Sequence, residues 1–252
     1  MDKTLSPATQ PKAVLFDAYG TLFDVYSVAL LAEQLFPGDG QRLSVIWRDK
    51  QIEYTRLVTT CNHGAHYQPF WNITEAALRY AIKIVAARAH STMATGQFDS
   101  KVLQPAIKKL MNQYRHLSAF PENKDVLQTL KSQGIPTGIL SNGDAAMLGV
   151  AVKSVGFDGL LNHVISVDPV RKFKTHPDAY ALGEQATGCK ASDVLFVSSN
   201  AWDALAATWY GYQTLWVNRA GLPFEELGTK PGQVTQPTQV GTNLRDVFQF
   251  FN

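Results

Sequence analysis

The stretch VLFDAYGTL, residues 14–22, joins a short apolar run to an aspartate and, three residues later, to a glycine. The apolar run at 13–16 predicts a buried central strand of a parallel α/β sheet. Asp17 would then lie at the carboxyl end of that strand, where such sheets place their active sites. A partly desolvated carboxylate needs hydrogen-bond donors, which the turn at Gly20 and the hydroxyl of Thr21 can supply. The same segment also fits a strand followed by an ordinary turn.

The composition limits the class of protein. The chain has 252 residues, 45% of them hydrophobic and 17% charged, enough for one core and a small inserted domain. With a net charge of +2 and no basic run, no nucleic-acid partner is expected. No segment is apolar enough to cross a membrane, and residues 1–11 predict a flexible tail rather than a signal peptide. Cys61 and Cys189 predict reduced thiols, so a cytoplasmic location is expected.

Helical spacing dominates residues 25–102. Apolar side chains recur there at intervals of three to four residues, and a proline-glycine pair at 37–38 ends the first predicted helix. Thr74 is the predicted N-cap of the third helix. The stretch therefore predicts a helical cap domain, inserted after the first strand, that closes over the aspartate.

A strand-helix alternation begins after residue 103. Strands are predicted at 137–140, 163–167, 194–197 and 213–217, helical patterns lie between them, and a terminal helix follows at 244–251. This order predicts an α/β fold, a Rossmann-like parallel sheet core with helices on both faces. The core would comprise residues 12–24 and 103–252.

Polar clusters follow three of these strands, at 141–143, 171–177 and 198–203. Carboxyl ends of parallel strands meet at one edge of a sheet, so these clusters are expected to converge near Asp17. Each cluster taken singly is more typical of helix caps and turns. Together, an aspartate, a Ser-Asn pair, a lysine and a second aspartate in this order indicate a functional site.

These segments resemble the motifs of the haloacid dehalogenase superfamily. Its first motif carries a nucleophilic aspartate, matched here by Asp17, and its second a serine or threonine, matched by Ser141. Its third motif is a lysine, best matched by Lys174, with Lys172 as a competing candidate. Most members of the superfamily are phosphatases.

Two departures from the phosphatase pattern narrow the resemblance. Tyr19 stands where phosphatases carry the aspartate that protonates the leaving group, a task a tyrosine performs poorly near neutral pH. Ser198 stands where they carry an acidic residue of the Mg²⁺ site, so few carboxylates remain for that cation. A halide leaving group needs no proton, and the segment SSNAWD at 198–203 resembles L-2-haloacid dehalogenases.

That family implies a cofactor-independent homodimer that converts (S)-2-haloacids into (R)-2-hydroxyacids through an aspartyl ester. The residues that match its catalytic positions are Asp17, Thr21, Lys174, Ser198, Asn200 and Asp203. The residues that match its substrate- and halide-binding positions are Tyr19, Arg48, Phe70, Ser141, Asn142, Tyr180 and Trp202. No metal ligand is expected.

Simpler interpretations of single residues stay open. Without the resemblance, Arg48 is more typical of a surface helix arginine, and each single aromatic residue is more typical of core packing. For Lys174, an exposed lysine is the alternative interpretation. His63 and His66 have metal-like spacing without a third ligand, and are interpreted as loop residues. The competing functions are a Mg²⁺-dependent phosphatase or phosphonatase and a non-catalytic binding protein. The preferred halogen and chain length are not predicted.

Overall fold

The computed structural model describes residues 9–90, 100–225, 227 and 236–251, so most of the predicted tail at 1–11 lies outside the described part. Six parallel strands form one sheet in the order β3-β2-β1-β4-β5-β6. The strands are β1 (Ala13–Phe16), β2 (Thr137–Ser141), β3 (His163–Ser166), β4 (Val194–Ser198), β5 (Gln213–Val217) and β6 (Gln239–Gly241). The predicted parallel α/β sheet is therefore confirmed.

In the described part of the chain, five α-helices separate β1 from β2, and from β2 to β5 single α-helices alternate with the strands as predicted. The α-helices are α1 (Ala29–Leu35), α2 (Gly40–Thr60), α3 (Phe70–His90), α4 (Ser100–Arg115), α5 (Asn123–Ser132), α6 (Ala145–Ser154), α7 (Pro177–Thr187) and α8 (Ala201–Tyr210). The C-terminal segment, predicted as a helix, is a 3-10 helix at Leu244–Phe250 that packs on α5 and β5. Among the described residues, no helix is long and apolar enough to span a membrane.

The central strands are buried along their whole length. Every residue of β1, β2 and β4 is buried, which suits apolar strands covered on both faces. From β1 the chain proceeds to β2 and β3 on one side, then returns to add β4, β5 and β6 on the other. The strand order reverses between β1 and β4, and such a switch point opens a crevice at the carboxyl ends of the strands. Asp17 and Ser198 border that crevice.

Helices α1 to α4 lie between β1 and α5 in the chain and pack on one another. α2 lies along α3 and buries Leu43, Trp47 and Gln51 at four-residue spacing, the period of one helix face. The Trp47 indole donates to the carbonyl of Thr74 over 2.8 Å. The predicted N-cap at Thr74 is wrong, because α3 begins at Phe70 and the Thr74 hydroxyl donates to the Phe70 carbonyl within the helix.

These helices meet the strand ends through polar contacts. The backbone N–H of Phe173 donates to Thr59 Oγ1 over 3.0 Å, and that of Trp71 to Asp144 Oδ2 over 3.3 Å. Tyr67 is hydrogen-bonded to Asp168. The C-terminal end of α2 and the start of α3 are therefore fixed against the edge of the sheet that carries Asp17.

Candidate active site

Asp17 lies one residue beyond β1 and is 6% exposed. Its Oδ1 accepts from Lys174 Nζ over 3.0 Å, and its Oδ2 from Thr21 Oγ1 over 3.1 Å and from Asn200 Nδ2 over 2.8 Å. The donors come from the loop after β1, the loop before α7 and the start of α8. Segments far apart in sequence therefore hold one carboxylate, as the convergence of strand ends requires.

The donors to Asp17 are side chains, and the expectation that the turn would supply backbone N–H groups is only partly correct. Gly20 has φ +96°, a left-handed conformation that favours glycine. Its N–H donates to the Phe23 carbonyl over 2.7 Å, and that of Thr21 to the Ala18 carbonyl. The turn acts indirectly, since it presents the Thr21 hydroxyl to Asp17 while the same oxygen accepts from the Ser199 N–H over 2.8 Å.

Lys174, rather than Lys172, reaches the carboxylates. Lys174 is 1% exposed, and its Nζ lies 3.0 Å from Asp17 Oδ1 and 2.9 Å from Asp203 Oδ2. Lys172 instead pairs with Asp178 at the protein surface. Burial alone would lower the pKa of the Lys174 ammonium, but the two carboxylates outweigh it and raise this pKa above its usual value. Lys174 is therefore a cation at neutral pH.

Asp203 is fully buried behind Lys174. Its Oδ1 accepts from the Tyr180 hydroxyl over 2.7 Å, and its Oδ2 from Ser198 Oγ over 3.1 Å. Burial raises the pKa of the Asp203 carboxyl, and the charge of Lys174 opposes that change. Burial also raises the pKa of Tyr180 well above its usual value, so the phenol stays protonated as a donor. Tyr180, matched to a substrate-binding position, contacts Asp203 here.

Arg48 projects from α2 towards the strand ends. Its Nη2 donates to the Tyr19 carbonyl over 3.1 Å and to Asn200 Oδ1 over 3.3 Å. Its Nη1 donates to Gln51 Oε1 over 2.8 Å. Arg48 thus connects the helices to the loops around Asp17, which a surface arginine would not do.

A small cavity of about 20 Å³ separates the helices from the strand ends, roughly the room for one water molecule. The residues that line it are Asp17, Tyr19, Arg48, Ile52, Thr55, Phe70, Ser141, Asn142 and Trp202. The structure therefore brings together seven of the predicted site residues around one space. Thr21, Lys174, Ser198, Asn200 and Asp203 lie behind its wall, in the hydrogen-bond network of Asp17.

Polar and aromatic groups face this cavity from different sides. Asn142 Oδ1 accepts from the Lys174 N–H over 2.8 Å, whereas Asn142 Nδ2 donates to no described residue. Ser141 Oγ accepts from the Gly143 N–H over 3.1 Å. The ring of Tyr19 packs against Phe70, with 5.5 Å between centroids. The cavity therefore has apolar walls and a few donors.

Comparison with known proteins assigns the chain to a family. The model for haloacid dehalogenase-like hydrolases matches residues 11–211. The chain belongs to this haloacid dehalogenase-like hydrolase family. It is 39% identical, over 95% of its length and 94% of the relative's, to an (S)-2-haloacid dehalogenase of Pseudomonas sp. strain YL.

Solved structures of this family agree. An L-2-haloacid dehalogenase, 51% identical, superposes with a TM-score of 0.83 over 96% of this chain and 99% of its own. Another, from Xanthobacter autotrophicus with chloropropionic acid covalently bound, is 31% identical with a TM-score of 0.79 over 96% and 98% of the two chains. The resemblance to L-2-haloacid dehalogenases predicted from the motifs is confirmed.

Three residues of this dehalogenase-like site were not predicted. Ile52 and Thr55 line the cavity from α2, one turn and two turns beyond Arg48. Gln51 is buried, accepts from Arg48, and donates to Thr74 Oγ1 over 2.6 Å and to the Tyr114 hydroxyl over 3.1 Å. All three follow Arg48 on the helix at i+3, i+4 and i+7, the positions that share its face.

Proposed function

We propose that the chain is a hydrolytic dehalogenase that converts short (S)-2-haloacids, such as 2-chloropropionate and haloacetates, into (R)-2-hydroxyacids and halide. The observation that carries this proposal is the buried Asp17 carboxylate, which pairs with Lys174 and lines a small cavity together with Arg48. The printed names of the relatives and the covalently bound chloropropionic acid in one of them support it.

The first step is displacement at the saturated carbon. An oxygen of Asp17 attacks Cα from the side opposite the halogen, the new C–O bond forms, and the halide leaves with the electron pair of the C–halogen bond. This gives an ester on Asp17 and inverts the configuration at Cα. The attack is favoured because the carboxylate is nearly dehydrated and its approach to Cα is fixed by the cavity walls.

Arg48 and Asn142 are the proposed donors to the departing halide. Both line the cavity with Asp17, and Asn142 Nδ2 has no acceptor among the described residues. A halide gains negative charge as it leaves, so N–H donors directed at its position lower the barrier. Ser141 is the proposed partner of the substrate carboxylate, while Tyr19, Phe70 and Trp202 form the walls around the alkyl group.

The second step is hydrolysis of the ester. Water adds to the carbonyl carbon of Asp17 and the bond to the substrate oxygen breaks. One proton of the water passes to that oxygen to complete the hydroxyacid, and the other is released to solvent as the Asp17 carboxylate forms again. The side-chain amide of Asn200 is proposed to orient this water, while Asp203, behind Lys174, holds the ammonium beside the Asp17 carboxylate. Thr21 and Ser198 hold these groups in place through their hydroxyls.

The phosphatase alternative fits the site less well. Tyr19 occupies the position of the phosphatase acid, and burial raises its pKa well above the usual value for tyrosine. A phenol that holds its proton so firmly is a poor acid for a leaving alkoxide near neutral pH. The structure gives no reason to prefer phosphate esters as substrates.

The organisation around this activity is part of the proposal. Residues 25–102 act as a cap over the core at 12–24 and 103–252, with 91–99 outside the described residues. The enzyme is proposed to be a cytoplasmic homodimer that needs no cofactor. Exposed apolar side chains on the helical side, Leu30 at 79% and Leu57 at 51%, support a contact between subunits there.

The test measures halide release from the separate (S) and (R) enantiomers of 2-chloropropionate, with and without EDTA. Release from the (S) form alone, unchanged by EDTA, is expected, and Asp17→Asn should reduce it more than about 10⁴-fold because the nucleophile is lost. Circular dichroism of the variant serves as the folding control. EDTA-sensitive hydrolysis of a phosphate ester without halide release would refute the proposal.

A further inference from the structure

A second, larger groove lies on the other side of Trp202. Its volume is about 450 Å³, and Trp202 lines both this groove and the small cavity at Asp17. Along α8 the groove is lined by Trp202, Leu205, Ala206 and Trp209. Their spacing of three, four and seven residues places them on one face of the helix, so the groove follows α8 away from Asp17.

The chemistry of the groove favours an apolar occupant. Its floor is made of aliphatic and aromatic side chains of α8. Two opposite charges, Arg56 and Glu225, are also among its lining residues, and both residues are exposed. The Arg56 guanidinium lies 5.2 Å from the centroid of the Trp202 ring. Because one positive and one negative side chain line the groove, it has no net preference for a charged ligand.

The small cavity by itself has little room for an alkyl chain. Its volume is about 20 Å³, and Tyr19, Phe70 and Trp202 form its aromatic walls. A cavity of this size holds about one water molecule, so every 2-haloacid must displace part of its wall, and a longer alkyl group needs further space beyond that wall. Of these three aromatic residues, Trp202 also lines the larger groove.

We propose that the alkyl tail of longer (S)-2-haloalkanoates extends past Trp202 into this groove, while the reacting carbon stays in the small cavity beside Asp17. This inference rests on the proposed dehalogenase function. Trp202 and Trp209 are seven residues apart on α8, or about 10 Å at 1.5 Å per residue, which gives a tail of several methylene groups a continuous apolar surface. Each methylene buried there raises kcat/KM up to about fourfold.

The test compares kcat/KM for (S)-2-bromopropionate, (S)-2-bromohexanoate and (S)-2-bromooctanoate. The wild-type enzyme is expected to release bromide from all three. Ala206→Phe fills the groove and should lower kcat/KM for the octanoate at least tenfold, with the propionate value unchanged within twofold. Ala146→Phe adds the same bulk at an exposed position of α6 outside the groove and should change neither value.

Trp209→Ala provides a second variant that removes apolar surface instead of adding bulk. This variant should lower kcat/KM for (S)-2-bromooctanoate about threefold more than kcat/KM for (S)-2-bromohexanoate. The inference would be overturned if the wild-type enzyme released bromide from the propionate but not from the octanoate. It would also be overturned if both groove variants lowered kcat/KM equally for all three chain lengths. Absence of bromide release from the propionate itself would refute the proposed function on which the inference rests.

Discussion

The two sides of the small cavity solve the problem of buried charge differently. On the strand side, Asp17, Lys174 and Asp203 are almost fully buried, and the Lys174 ammonium forms ion pairs with both carboxylates. On the helical side, Arg48 is half-buried and donates only to neutral oxygens among the described residues. The strand side therefore has a fixed set of mutually paired charges. The helical side holds a positive charge without a carboxylate partner, as an arriving anion requires.

The largest effect is expected from removing Lys174, the cation that pairs with both carboxylates on the strand side. Lys174→Met leaves two buried carboxylates without a counter-charge, so the free energy of unfolding should fall by about 3–5 kcal/mol. Lys172→Met is the matched control two residues away, because its pair with Asp178 is partly exposed to solvent and worth at most about 1 kcal/mol. Urea denaturation at pH 7 measures both. Equal losses would contradict the contrast between buried and exposed pairs.

The helical side is tested by a change that keeps the charge and alters its shape. Arg48→Lys loses the planar fork that reaches Gln51, Tyr19 and Asn200 at once. We expect kcat/KM for (S)-2-chloropropionate to fall about 10²-fold, the usual cost of one misplaced donor to a developing anion. Arg42→Lys, at an exposed position earlier on α2, is the control. A loss confined to stability would show that Arg48 acts only as a structural link.

The smallest effect is expected from alkaline pH. The pKa of Lys174 is raised above 10.5 in the folded protein, so its ammonium and the stability it provides are fully present below pH 10.5. Both are lost only as the pH rises through the higher folded-state value. Halide release should therefore change less than about twofold between pH 8 and 10. A midpoint near pH 8 would mean that another group, rather than Lys174, controls the reaction.

Local sequence patterns were sufficient to predict the sheet and the convergence of its polar strand ends, whereas the individual site residues were expected from the family resemblance. Fully buried apolar strands have a characteristic composition, and polar residues directly after them converge by the geometry of a parallel sheet. β6 was not predicted, because Gln239–Gly241 is three residues long and lacks an apolar run. The start of α3 was misplaced for a similar reason, since threonine serves both as a cap and within a helix, as Thr74 shows.

Other features depend on tertiary contacts that no local pattern reports. Lys172 and Lys174 are chemically the same and two residues apart, yet only one reaches Asp17. The sequence shows Gln51 only as a polar residue in the middle of a helix. Its hydrogen bonds to Thr74 and Tyr114 depend on tertiary packing. The groove along α8 becomes visible only when Trp202 is seen to have space on both sides.

The unequal sharing of donors by the two oxygens of Asp17 has a consequence for the tetrahedral intermediate. Oδ1 accepts a hydrogen bond from Lys174, and Oδ2 accepts from Thr21 and Asn200. Whichever oxygen enters the ester, the other becomes the carbonyl oxygen and retains at least one donor. When water adds, the negative charge develops on that same atom, where the donors are already in place. The contacts that hold the nucleophile at rest would thus form a ready-made oxyanion hole for its regeneration.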